Sequence, residues 1–166
     1  MIYAAEQHPL YPIFKAIYAK QAAATLSGSV DDILKLHAAN FFSIPLNGKK
    51  ASESNWAASV QHDIDAHKYL QVTYEIEKIT NNKAICTVYS TRRCSGINEK
   101  NKSFNTEVRL KDDFTLSDVG VWLMQSSETV SRSLWLDGIR LGLEQIPGVI
   151  ALEQGCSDHG GPGHDD

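Results

Sequence analysis

The apolar residues of this chain keep one period up to about residue 67 and another from there to about residue 136. In the first stretch they recur every three or four residues, as on a helix face, and in the second every other residue, as on a strand. Leu70, Val72, Tyr74 and Ile76 alternate with Gln71, Thr73, Glu75 and Glu77, a strand with one buried and one wet face. Thr80 to Lys83 turns the chain. Ala84, Cys86 and Val88 then alternate with Ile85, Thr87 and Tyr89, which predicts an antiparallel hairpin. Residues 95 to 103 (SGINEKNKS) read as a polar loop at a hairpin tip. Phe104, Thr106, Val108 and Leu110 alternate with Asn105, Glu107, Arg109 and Lys111, and a last long strand follows Ser117-Asp118 through Val121, Trp122, Leu123 and Met124.

The helical stretch divides at recognisable stops. Residues 12 to 26 put Ile13, Ile17 and Ala24 on one side with Phe14 and Tyr18 beside them, Pro12 suits the first turn, and Gly28 suits a left-handed end. Ser29 followed by Asp32 resembles a capping box opening a short second helix through Leu36. Asn40 to Leu46 (NFFSIPL) reads as a short strand, with Asn47-Gly48 as a hairpin turn. Ser52 caps a third helix to about His67, with Trp56, Val60 and Ile64 four residues apart. Residues 137 to 154 read as a short closing helix around Ile139, Leu141 and Leu143. Residues 155 to 166 carry four glycines and one proline, and read as a tail that cannot repay its ordering entropy. One domain over residues 1 to 154, followed by this tail, is the organisation expected for 166 residues.

Charge and cysteine narrow the partners. Sixteen basic against twenty acidic residues give a net charge of −4, and three of the acids lie in the tail. A near-neutral body offers no footprint for a phosphate backbone, so nucleic acid is not expected. No apolar run approaches the roughly 18 residues of a membrane helix, and the N-terminal residues have no basic-then-apolar signal pattern, so a cytoplasmic protein without membrane contact is expected. Cys86, Cys94 and Cys156 are odd in number, widely spaced and outside any C-x-x-C motif, so neither a disulfide framework nor a zinc ribbon is indicated. Cys156, His159 and His164 lie in Gly-rich surroundings without a preformed geometry, and no metal site or cofactor is expected.

Several segments together resemble a known superfamily. Tyr18 to His37 (YAKQAAATLSGSVDDILKLH), Asn40 to Gly48, Val108 to Phe114, Gly120-Val-Trp122 and Trp135-Leu-Asp-Gly138, in the order helix, helix, short hairpin, helix and four long strands, resemble the nuclear transport factor 2-like proteins, including SnoaL-like and ketosteroid-isomerase-like members. The resemblance covers roughly residues 10 to 136. It implies an α+β cone: a curved antiparallel sheet wrapped against three helices, with a central pocket for a small apolar or aromatic molecule, often in a homodimer formed through the sheet. The architecture hosts isomerases, cyclases, dehydratases and members without known chemistry, so it does not carry function. In ketosteroid isomerases an Asp base ends the first strand, and a Tyr with a protonated Asp supplies oxyanion donors. Here the base position falls at Pro45, preceded by Ile44, and the Tyr position near Gln21. Steroid isomerisation by that constellation is therefore excluded.

Other residues can handle protons. Asp63 and His67 stand four apart on the third helix, where a carboxylate can orient an imidazole and raise its basicity. A solvated helix end is the alternative. Asp112 continues the even-numbered apolar face of its strand, which points it inward, where desolvation would raise its pKa. The alternative is a bulge that lets Asp112 and Asp113 both reach water. His37, Tyr18, Trp56, Tyr74 and Tyr89 are expected to line the site. Two functions follow: a small-molecule-binding protein with cofactor-free acid/base chemistry of the lyase or isomerase kind on Asp63, His67 and Asp112, or a non-catalytic dimeric ligand-binding or protein-interaction module. At least two ionisable side chains converging in the concave site would mark the first.

Overall fold

The computed structural model describes residues 4–141. Helix α1 (Tyr11–Ser27) carries Pro12 in its first turn and ends at Gly28, whose φ of 77° is a left-handed conformation that glycine adopts without steric cost. Ser29 caps α2 (Val30–Leu34) by accepting from the Asp32 amide, and Ser52 caps α3 (Glu53–Ala66) by accepting from the Asn55 amide. Strands β1 (His37–Ile44) and β2 (Ala51–Ser52) form the short hairpin. The period-two stretch becomes β3 (His67–Asn82), β4 (Ile85–Asn98), β5 (Ser103–Leu116) and β6 (Trp122–Leu136), followed by β7 (Ile139–Leu141).

The strands make one curved sheet in the order β2-β1-β6-β5-β4-β3, with β7 added to β6. Its pairings are antiparallel except one: β1 runs parallel to β6, with Phe42 opposite Ser126. The sheet is therefore mixed, not wholly antiparallel as expected. A parallel pair needs a long connection, and the β3–β5 meander supplies it. Register shifts at Tyr69/Gln71 and Ile76/Lys78 on β3, and at Arg109/Leu110 and Asp113/Phe114 between β5 and β6, bend the sheet around α1. The first shift turns Leu70 out to solvent, against the plain alternation. Phe14 meets Phe114 at 4.7 Å between ring centroids, and the core continues through Tyr18, Ile33, Phe41, Trp56, Val88 and Met124.

Three other expectations need correction. The buried face of α1 is Phe14, Tyr18, Gln21 and Ala24, while Ile13 is exposed; the aromatic contacts to the sheet, not the aliphatic stripe, orient the helix. The loop expected over residues 95 to 103 is shorter, because β4 continues to Asn98 and β5 begins at Ser103. Residues 139 to 141 form a strand and not the start of a helix: Asp137 and Gly138 both adopt positive φ, as a two-residue hairpin turn requires. The remainder of that expected helix and the tail lie outside the described residues.

Candidate functional site

Cross-strand pairing fixes which side chains share the concave face, because directly opposed residues project to the same side. One row reads Tyr74, Arg92, Val108 and Arg132 across β3 to β6. Beside it runs Val72, Cys94, Thr106 and Leu134 on one flank, and Ile76, Ser90, Leu110 and Thr129 on the other. Beyond the latter lie Ile79, Val88, Asp112 and Ser127. Helix α1 lies over this face, and the Tyr18 hydroxyl donates to Asp112 Oδ2 at 2.6 Å. Gln21 Nε2 donates to the Tyr74 hydroxyl at 3.1 Å, and the Tyr18 and Tyr74 rings pack tilted by 33° with centroids 4.9 Å apart.

Asp112 thus takes the inward position that its strand alternation indicates. It is 1% exposed. Burial pushes its carboxyl up to about 6, opposed by hydrogen bonding from Ser127 and Tyr18 and by the charge of Arg92. The register shift lies one residue later, and Asp113 faces the convex side, where it accepts from Thr87 at 2.7 Å. Burial, reinforced by the Asp112 charge, raises the Tyr18 hydroxyl well above its ordinary value, so Tyr18 is a proton donor in hydrogen bonds and not a phenolate. Tyr74 is raised too, mainly by burial, although Arg92 hydrogen-bonds to it and pulls the other way.

Asp63 and His67 are both buried, but their geometry differs from the expected carboxylate–imidazole dyad. His67 follows the last residue of α3 with extended backbone, which swings its ring so that Nδ1 lies 2.8 Å from the Asp63 backbone carbonyl. A carbonyl only accepts, so Nδ1 donates to it. Asp63 lines a cleft with Gln21, Trp56, Val60, Ile64, Tyr69, Tyr74 and Arg92. The cleft volume is about 20 Å³, room for about one water.

Two of the expected lining residues fall elsewhere. His37 does not reach a pocket mouth. Its ring stacks on Phe41 at 3.7 Å and meets the edge of Trp56, and its Nδ1 lies 3.2 Å from Glu53 Oε2. Burial lowers its pKa to about 4 despite the nearby carboxylate, so the neutral ring donates its Nδ1 proton to Glu53. Tyr89 sits on the convex face between Val88 and Ser90, with Lys78 Nζ 5.2 Å from its ring centre. In a strand apolar on both sides the period does not reveal which side is inner, and Tyr89 took the outer one. Tyr18, Trp56 and Tyr74 are on the inner side.

Arg92 and Arg132 are the residues that the sequence reading passed over. They are 4% and 5% exposed. Arg92 and Arg93 are neighbours in the sequence, yet adjacent strand residues face opposite ways, and Arg93 lies outside in ion pairs with Glu75 and Glu107. Arg132 was hidden by the register shift around Val130, although its alternation with Leu134 and Leu136 was a usable signal. The inner face is consequently more polar than the apolar hollow anticipated from the resemblance.

No family model matches the sequence, and no curated protein matches it either. Solved structures do. An NTF2-like protein from Cytophaga hutchinsonii superposes with a TM-score of 0.61 at 13% identity, covering 75% of this chain and 99% of that one. A ketosteroid isomerase-like protein from Erwinia carotovora atroseptica gives 0.59 at 12%, covering 75% and 98%. A conserved protein from Planctomyces limnophilus gives 0.63 at 9%, covering 69% and 90%. The chain has the NTF2-like α+β fold. At these identities the likeness establishes architecture alone. Among the described residues no helix is long and apolar enough to cross a membrane.

Proposed function

We propose that the concave face binds a small, mainly apolar or aromatic molecule and moves a proton on it, as a cofactor-free lyase or isomerase does. The observation that carries this is Asp112: a carboxyl buried on the concave side, accepting from Tyr18 at 2.6 Å and held near pH 6 by its surroundings. A group with that pKa exchanges protons readily near neutrality. Asp112 accepts a proton from a substrate C–H bond, and the electron pair moves onto an adjacent carbonyl. Tyr18 and Tyr74 are the hydroxyl groups placed to stabilise developing negative charge, and Asp63 lines the approach. The proximity of Asp112 to Tyr18 and of Asp63 to Arg92 supports this reading. We place this activity in the cytosol, in a homodimer joined through the convex sheet face.

The test is deuterium exchange. Small aromatic and aliphatic ketones and acids with activated C–H bonds are incubated with the protein in deuterium oxide and followed by proton NMR. Exchange that falls at least a hundredfold in Asp112→Asn, with melting unchanged or raised, supports the assignment. Undiminished exchange in that variant removes Asp112 from the chemistry.

The non-catalytic reading draws on a different surface. A groove of about 1070 Å³ runs outside α1, lined by Ile13, Ile17, Lys35, Leu36, Val121 and Trp122. Ile13, Val119 and Val121 are exposed there and nearby, which suits an interaction module. If none of the compounds exchanges or binds, this reading stands in place of the first.

A further inference from the structure

We infer that a disulfide joins Cys94 to Cys156 and fastens residues 142 to 155 across the apolar end of the concave face, which is their docking surface. Cys94 is disulfide-bonded and 3% exposed. The chain holds two other cysteines, Cys86 and Cys156, and Cys86 is a buried free thiol. Cys86 and Cys94 also share the extended strand β4, which sets their Cα atoms about 26 Å apart, against the roughly 7 Å that a disulfide can bridge. Cys156 is thus the partner, although the spacing of the cysteines in the sequence indicated no such bond.

The ladder brings the start of this segment to the same place. Leu141 lies opposite Leu134, Leu134 opposite Thr106, and Thr106 opposite Cys94. Leu141 and Cys94 therefore stand in one cross-strand row and project to the same side of the sheet. Three strand spacings put their Cα atoms about 14 Å apart. Residues 142 to 155 reach roughly 45 Å when extended, so they have the length to leave β7 on that side and return to Cys94 with slack to lie over the row between.

The surface beneath suits an apolar cover. Val72, Phe104 and Leu134 are buried around Cys94, while Tyr69, Leu136 and Leu141 pack against them only partly withdrawn from water. The segment supplies Leu143, Ile146, Val149, Ile150 and Leu152, side chains that gain by leaving water against this cluster. Forming the bond removes two electrons from the two thiols, and the oxidant is a low-molecular-weight disulfide. The Cys156 thiolate attacks one sulfur of that disulfide and expels a thiolate. The Cys94 thiolate then displaces the second from the mixed disulfide at Cys156, and the two cysteine protons end on the two released thiols. In a reducing compartment a thiol pool runs the exchange backwards and releases the segment, so the covering of this end follows the redox state.

The experiment treats the full chain with oxidised glutathione or with dithiothreitol and reads three things. Non-reducing digestion and mass spectrometry should give a linked peptide pair containing Cys94 and Cys156 that dithiothreitol separates, with Cys86 alone open to alkylation after denaturation. Hydrogen exchange should be at least tenfold slower at the amides of residues 142 to 155 in the oxidised protein than in the reduced protein or in Cys156→Ser. Melting should fall by at least about 5 °C on reduction, and Cys156→Ser should melt with the reduced wild type under either treatment. The comparison of oxidised with reduced wild type stands even if the variant fails to fold. Cys94 alkylated as a free thiol in the oxidised protein, or a bond from either cysteine to Cys86 or to a second copy, overturns the inference. A Cys94–Cys156 bond with equally fast exchange over residues 142 to 155 in both states overturns the docking surface. None of these readouts involves proton transfer at Asp112, so a protein without catalysis leaves the bond standing, and a missing bond leaves Asp112 untouched.

Discussion

Asp112 and His37 illustrate how two buried titrations can offset one another in the same pH range. The folded pKa of Asp112 is raised from its ordinary 3.8 to about 6, so the group favours folding below about pH 4 and that advantage disappears as pH rises to 6. His37 is lowered from 6.5 to about 4, so its contribution is complete above 6.5 and is lost as pH falls toward 4. Each shift corresponds to roughly 3 kcal/mol, with opposite slopes. Asp112→Asn should raise stability over wild type by up to about 3 kcal/mol at pH 7.5, with the gain vanishing near pH 4. His37→Phe, which keeps the stack on Phe41, should show its advantage at pH 4.5 and not at pH 7.5. Urea denaturation at the two pH values measures both, and a pH-independent difference for either variant contradicts its assignment. The inward placement of Asp112 was legible because its neighbours alternate cleanly. The site of His37 was not, since its environment is built by Phe41 and Trp56 from other elements.

Among the elements, β4 shows why helix caps and strand periods were easier to read than local breaks. Gly28, Ser29 and Ser52 act where their chemistry says they should, because caps depend on a few adjacent residues. The register shifts depend on neighbouring strands, and Leu70, Val130 and Gly96 acquire their roles from them. Gly96 had been assigned to a loop, yet it lies within β4 beside the Tyr69/Gln71 shift, where a Cβ would come 2.1 Å from the Lys68 carbonyl oxygen. That oxygen is backbone and cannot move without opening the β3–β4 pair. Gly96→Ala should therefore cost about 2 to 4 kcal/mol in denaturant unfolding, while Gly120→Ala, whose Cβ would meet open space, costs about 1 kcal/mol from its positive φ alone. Similar costs at the two positions would mean that the strands do not approach as closely as described.

At the level of the molecule, the two sheet faces have separate tasks. The inner one holds the buried polar rows. The outer one carries Glu75, Arg93 and Glu107 in an ion-paired line beside a hollow of about 540 Å³ lined by Thr73, Asn105 and Trp135. If the proposed homodimer forms there, sedimentation should give twice the 18.4 kDa chain mass, and Trp135→Asp should shift it toward monomer; a monomeric wild type at micromolar concentration contradicts the proposal. The parallel β1–β6 pairing has another consequence, for synthesis on the ribosome. β1 leaves the exit tunnel early, but its long partner is not translated until residues 122 to 136 have been added, so the nascent chain must carry an unsatisfied strand through most of elongation. Closure of the cone is thus a late, long-range event, and slow translation past β5 would prolong the interval in which Phe41 and Phe42 are open to chaperones or to aggregation.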